Sequence, residues 1–526
     1  MLAQNAGMRD KAIRTLQWDG FVYDELVELI YKHSRQIGPL IRNGPIPGMQ
    51  AKCAWRGRKR MSRSFFRLRA LTLTASLLAG SVVALGQDQK ATEEDHGQQQ
   101  QQPGNDPQDH SEHDMSKMAG MDHSAMGHSG MNSSGMFLMN ESSGTGFQPA
   151  AWPMPMLMTR AGDWHLMWMG QAFIVDTQQS VPRGGDKLYS VNWGMLGAVH
   201  KLGRGSLMLR SMLSLEPATV TDRRYPLLFQ TGETAYGKPL VDAQHPHDFV
   251  MELSVQYAHP LGEKGTWNVY YAPVGNPALG PVAFPHRASA LELPQAAIGH
   301  HWQDSTHIAN NVLTGGVTYG KVRLEASGFY GREPNEARWN IDWGAMNSWS
   351  SRLSFFPSKN WTAQVSVGRL QDPESSHAGS VVRTTASVEY IKPTAGKNWW
   401  ATSFVWGQNY KLDEKRRTNA VLAETVVPFS RKNFVTGRFE WSQRDELFEY
   451  NHELEEQVTR ATGQHAFNVT AYTAGYTRDI GTFRNLQAGV GANVTAYGID
   501  AALKPFYGDR PWGVNVFLRF RLKPGA

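Results

Sequence analysis

The sequence predicts an all-β protein, a transmembrane antiparallel β-barrel of about 16 strands preceded by a disordered N-terminal region. Three observations lead there. From about Trp164 onward, apolar and polar residues alternate with period two in short segments, as in strands whose two faces meet different surroundings. The connections between those segments alternate between short and long, as the two rims of an outer-membrane barrel do. Upstream, an export signal leads into a long polar tract, so the chain leaves the cytoplasm.

The export signal begins at Met61. The stretch MSRSFFRLRALTLTASLLAGSVVALGQ sets Arg63, Arg67 and Arg69 ahead of an apolar run from Ala70 to Leu85, and Ala84-Leu85-Gly86 supplies the small-x-small exit. Residues 61–86 therefore read as a signal peptide. Residues 1–60 then read as upstream sequence or an extended leader, and they hold the only cysteine, Cys53. A mature chain from Gln87 has no thiols, which suits an oxidising compartment. Charge divides at the same place, with 14 Lys+Arg against 5 Asp+Glu in residues 1–86 and 39 against 42 beyond. The mature part lacks the cationic surplus that nucleic-acid binding requires. A mean hydropathy of −0.44 argues against a helical membrane protein, and no second apolar run reaches spanning length.

Residues 87–160 form a Gln/His/Met-rich tract without hydrophobic periodicity, opening on the run Gln98 to Gln102. Such a composition does not bury enough apolar surface to fold alone. Within it, His110, His113, His123 and His128 are interleaved with Met115, Met118, Met121, Met126, Met131 and Met136. Thioethers favour Cu(I), and imidazole accepts Cu(I), Cu(II) or Zn(II). A mixed Met/His chain without cysteine thus points to copper outside the cytoplasm. The alternative is a low-complexity spacer.

Residues 161–526 carry the strand series. In KVRLEASGFYG, Val322, Leu324 and Ala326 point one way and Arg323, Glu325 and Ser327 the other, which predicts a half-wetted strand. Turn-like links occur at LGRG (202), GEKG (262), YGK (319), PSKN (357), TAGKN (394), SRKN (430) and DIGT (479), with the Gly, Asn and Lys that hairpins use. Long links run over 176–187, 217–247, 275–307, 332–346, 371–379, 411–416, 444–463 and 499–510. An even strand number returns both chain ends to the short-turn rim, which leaves the tract in the periplasm. Trp164, Trp168, Trp267, Trp399, Trp400, Trp406 and Trp441 are placed for an aromatic girdle against outer-membrane lipid. A large soluble β-protein is the competing class, and its core also uses Trp.

Two consecutive long links carry metal-ligand residue types: His245, His247 and Asp248 in DAQHPHDF, then His286, His300, His301, Asp304 and His307. In extended chain an H-x-H spacing puts both imidazoles on one face. Convergence at the mouth of the lumen would suit divalent copper or zinc, and solvated polar loops are the plain alternative. The acidic link RDELFEYNHELEEQVTR sets Asp445, Glu446, Glu449, Glu453, Glu455 and Glu456 around His452, as a cap over the pore or as solvated surface. No G-x-S-x-G, P-loop, HExxH or G-x-G-x-x-G occurs in the required context, and Ser289 in HRASA is the one serine weighed for a hydrolase.

The signal peptide, the MDHSAMGH-type tract from His110 to Met136 and the barrel together resemble the copper resistance protein B family. The resemblance implies an outer-membrane β-barrel that binds copper and contributes to copper tolerance, with periplasmic copper-binding proteins as candidate partners. A general porin or solute channel with an incidental tract is the second expectation, and an outer-membrane hydrolase the third.

Overall fold

The computed structural model describes residues 131–374, 379–394 and 398–523. The leader, the signal peptide and the tract residues His110, His113, Met115, Met118, Met121, His123, Met126 and His128 lie outside them. A short strand β1 (Leu157–Ala161) opens the sheet and is followed by β2 (Trp164–Gln179), β3 (Asp186–Leu202) and β4 (Gly205–Leu213). The next link holds two small hairpin pairs, β5 (Tyr225–Pro226) with β8 (Ala243–Gln244), and β6 (Glu233–Ala235) with β7 (Lys238–Leu240). The wall resumes with β9 (Val250–Leu261), β10 (Gly265–Gly275), β11 (Ala309–Tyr319), β12 (Val322–Tyr330), β13 (Ser348–Ser358), β14 (Trp361–Gln371) and β15 (Ser380–Thr394). It ends with β16 (Asn398–Lys411), β17 (Arg416–Pro428), β18 (Asn433–Arg444), β19 (Phe467–Phe483), β20 (Leu486–Ile499) and β21 (Trp512–Leu522).

Every neighbouring pair is antiparallel, and β21 pairs back with β2, so sixteen strands close a cylinder. Side chains alternate across the wall in the sense a bilayer demands. On β12, Leu324 is 58% exposed on the outside, while Arg323 and Glu325 are almost fully buried inside. The polar face is therefore the sealed one and the apolar face the open one, a reversal of the half-wetted strand that alternation alone predicts. An outward band of Leu209, Val269, Leu313, Leu353, Val365 and Phe404 around a polar interior excludes a soluble sandwich. Among the described residues no helix is long and apolar enough to cross a membrane.

Aromatic rings gather outside near the short turns, with Trp267 beside Tyr257 and His259, and Tyr390 between Trp361 and Trp400. Trp399 is a correction. It faces the lumen, fully buried, because its neighbour Trp400 takes the outward position. DIGT is a second correction: β19 continues to Phe483 through an irregularity between Asp479 and Gly481, and the hairpin turns at Arg484 and Asn485.

Two segments fill the cylinder. Residues 131–156 enter from the short-turn rim, so the tract predicted as disordered to residue 160 is ordered from Met131. Asn132 caps the helix Ser133–Met139 and donates to the Gly205 carbonyl in the β3–β4 turn (3.1 Å), and the Ala151 amide donates to Lys359 in the β13–β14 turn (2.7 Å). From the opposite rim the β10–β11 link folds inward, and every residue from Val274 to Thr306 is buried. Its Arg287 pairs with Asp304 (2.8 Å) and with Glu424 of β17 (2.6 Å), which also holds Arg438 (2.9 Å).

Candidate metal centre

The inward link brings its histidines to the long-loop mouth, where they meet the link between β4 and β9. The rings of His247 and His307 lie 5.3 Å apart, as do those of His300 and His307, and His300 and His301 are 5.5 Å apart. Phe284 packs against His247, His300 and His307 and keeps the group together. The two histidine-bearing links therefore converge.

Hydrogen bonds assign most of these imidazoles. His247 Nδ1 contacts Glu216 (2.9 Å), His300 Nδ1 contacts Asp304 (2.6 Å), His307 Nδ1 contacts the Asp304 carbonyl (2.8 Å), and His245 Nε2 contacts Glu233. His301 is different: neither ring nitrogen has a hydrogen-bond partner, although the residue is buried. Three carboxylates from three other links face it, Glu233 at 3.5 Å, Glu333 at 3.6 Å and Glu374 at 3.9 Å. Ligand atoms of Glu233, His301 and Glu333 all lie within 4.8 Å of one another, the spread a single metal ion can bridge. Gly232 permits the approach: its φ is +100°, and a Cβ there would stand 2.9 Å from His301 Nδ1.

Burial dominates the electrostatics. It pushes Glu233 up to about 7 against the pull of Arg338, and it holds Glu333 and Glu374 well above the usual carboxylate range, helped by neighbouring carboxylates. Burial also pushes His245, His301 and His307 well below the usual imidazole value. Burial lowers His247 too, yet the Glu216 carboxylate beside it outweighs that and raises it. The centre thus combines neutral imidazoles with acids that resist ionisation, and an added divalent cation would reverse both costs at once.

Other predicted ligands go elsewhere. Asp248 is engaged by Arg338 (3.2 Å), and burial pushes it up to about 7. His286 leaves the mouth and faces Met212 deep in the lumen. Met131 packs with the methionine cluster around Met139, Met167 and Met208 near the short turns, and Met136 is half-buried on the neighbouring helix. In the acidic link, Glu446 bonds Thr231 (3.1 Å) and Lys411 (2.6 Å), and Asp445 pairs with Lys411 (3.0 Å). The rest of that run forms the helix His452–Thr462, with Glu453 and Glu456 in solvent, so only its first part closes on the mouth. Among the described residues Ser289 bonds Ser403 (2.7 Å) and Glu424 (2.9 Å), and neither partner is an imidazole that could act as its base. Glu333 and Glu374 lie in long links without candidate histidines, and Glu233 stands twelve residues before His245 in its own link, so no local spacing in the sequence ties the three carboxylates to His301.

No family model matches the sequence, and no curated protein matches it. Solved structures match as barrels. An anion-selective porin from Comamonas acidovorans aligns at 9% identity and TM-score 0.42, over 68% of this chain and 100% of that one. OmpF of Salmonella typhi, solved with daunomycin, aligns at 10% and 0.41 over 69% and 100%. The outer-membrane channel DcaP of Acinetobacter baumannii aligns at 9% and 0.38 over 69% and 99%. The likeness is one of architecture, and the closed sixteen-strand antiparallel barrel stands on the chain's own strand pairing.

Proposed function

We propose that this barrel captures a transition-metal cation, copper foremost, at its long-loop mouth, and that its Met/His tract binds the same metal on the periplasmic side. The observation that carries the reading is His301, a buried imidazole with two unpartnered nitrogens among three carboxylates. Imidazole and carboxylate donors suit Cu(II) or Zn(II), and the thioether-rich tract suits Cu(I). Copper tolerance, with transfer to periplasmic copper-binding proteins, is the role that such a pair of sites would serve.

The test is Cu(II) titration of the full chain in detergent. Replacing Glu233→Gln and His301→Leu together removes one equivalent of binding from the total. Mouth affinity falls as pH drops through about 7, because a proton then holds Glu233 against the metal. Without metal the sign is opposite: Glu233, raised from its ordinary 4.5 to about 7, favours the folded state most at low pH, and that contribution is lost between those values. Unchanged stoichiometry in the double variant sinks the reading.

A solute channel is the second reading, favoured by the sixteen-strand wall, which is wide enough to hold an aqueous path. It requires the inward link or the N-terminal segment to yield. Steady conductance of the full chain in a planar bilayer supports it, whereas conductance appearing only after deletion of residues 131–156 supports a closed metal-binding barrel.

A further inference from the structure

Methionine is distributed unevenly round the wall. Twelve of the thirteen methionines in the described residues fall between Met131 and Met251, in the N-terminal segment and on β1, β2, β3, β4 and β9. Four of them form a row. Met169 pairs directly with Met195, Met195 pairs with Met212, and Met251 occupies the irregularity on β9 opposite Met212. All four face the lumen and are buried in one cluster, and neighbouring strands set them about 4.8 Å apart. Met154 and Met156 of the N-terminal segment pack against the cluster that holds the row. The inward link delivers His286, whose Nε2 lies 3.1 Å from Met212 Sδ.

Packing alone explains a methionine or two, because the side chain adapts to irregular gaps. It does not explain His286. That residue is 1% exposed, its Nδ1 has no hydrogen-bond partner, and its Nε2 faces only a thioether, an arrangement that leaves a buried polar ring poorly satisfied. Trp193 covers the ring at 4.4 Å and closes it from other donors. Burial keeps the imidazole neutral, pushing it down to about 3. A divalent ion among uncharged donors would retain most of its desolvation cost, whereas a soft monovalent ion suits thioethers and needs less charge compensation.

We propose that Met169, Met195, Met212 and Met251, with His286, form a lumenal site for a soft monovalent metal ion of the Cu(I) and Ag(I) class, seated where the two lumen-filling segments meet. The site extends the metal reading inward, but its donors differ from those at the mouth and the two are separable by experiment.

The test uses the full chain in detergent with 13C-labelled methionine methyls, titrated with Ag(I) in chloride-free buffer. The methyls of Met169, Met195, Met212 and Met251 are expected to shift together and saturably. Substituting His286→Leu lowers the affinity read from those shifts by at least about tenfold. In the volume-conserving pair Met169→Leu and Met212→Leu, the shifts of Met195 and Met251 disappear, while Met139 and Met208 keep their positions and report an intact fold. If the four wild-type methyls stay still while tract methionines move, the proposal is overturned, and the wild-type titration decides this even if the variants misfold. Loss of Cu(II) binding at the mouth with these shifts retained would overturn only the mouth reading.

Discussion

The two segments that fill the lumen are held in different ways. The inward β10–β11 link is anchored at both ends and crossed by ion pairs between side chains, Arg287 to Asp304 and Glu424, and Glu292 to Arg519 and Arg521. Residues 131–156 join the wall at one end only, and the arginines that hold them mostly reach neutral groups, Arg210 the Gly144 carbonyl and Arg352 the Thr145 hydroxyl. Only Glu141 adds an ion pair, to Arg323 at 3.0 Å, and Arg323 keeps Glu325 at the same distance. Buried charges are costly to strand, so the link is a fixed part of the wall's interior. The N-terminal segment is the one whose removal leaves the wall's charges paired.

Arg287→Ala tests the fixed side and should have the largest effect. It breaks two buried pairs, leaving Glu424 to Arg438 and Asp304 to His300, and a loss of about 3 kcal/mol is expected as a lower urea midpoint for the heat-dependent gel shift. Glu141→Gln tests the removable side. It should cost about 1–2 kcal/mol and show as faster chymotrypsin cleavage at Phe137 and Phe147, with the barrel's own transition unchanged. Equal effects from these two changes would erase the contrast. Asn132→Ala removes the helix cap and the bond to the β3–β4 turn, and about 1 kcal/mol of local stability should disappear, read as faster amide exchange over residues 133–139.

The wall was legible in the sequence because both of its signals are local. Period two fixed the strands, and turn residues placed seven short links, of which DIGT alone was misplaced: β19 runs past Gly481 where a turn was expected. The lumen was less legible. Residues 276–306 looked like a surface connection, although four prolines, many alanines and leucines and only three ionisable residues besides histidine make an unusually apolar exposed loop. The row of Met169, Met195, Met212 and Met251 takes one inward position from each of four strands, and its alignment depends on register between strands, which no single segment encodes. The mouth failed in part for the same reason. His301 was found, but three of its neighbours sit in other links, brought close only by closure of the cylinder.

Strand β1 occupies the same edge of β2 that receives β21, and it does so from Leu157 opposite Trp168 down to Ala161 opposite Trp164. The last chain segment therefore finds a mechanical stop: Arg521 can descend no further than Gln171. A slip of one position would turn Arg519 and Arg521 out toward lipid and leave Glu292 without either. The five residues of β1 thus act as a ruler for closing the seam, and shortening them should yield barrels sealed in more than one alignment.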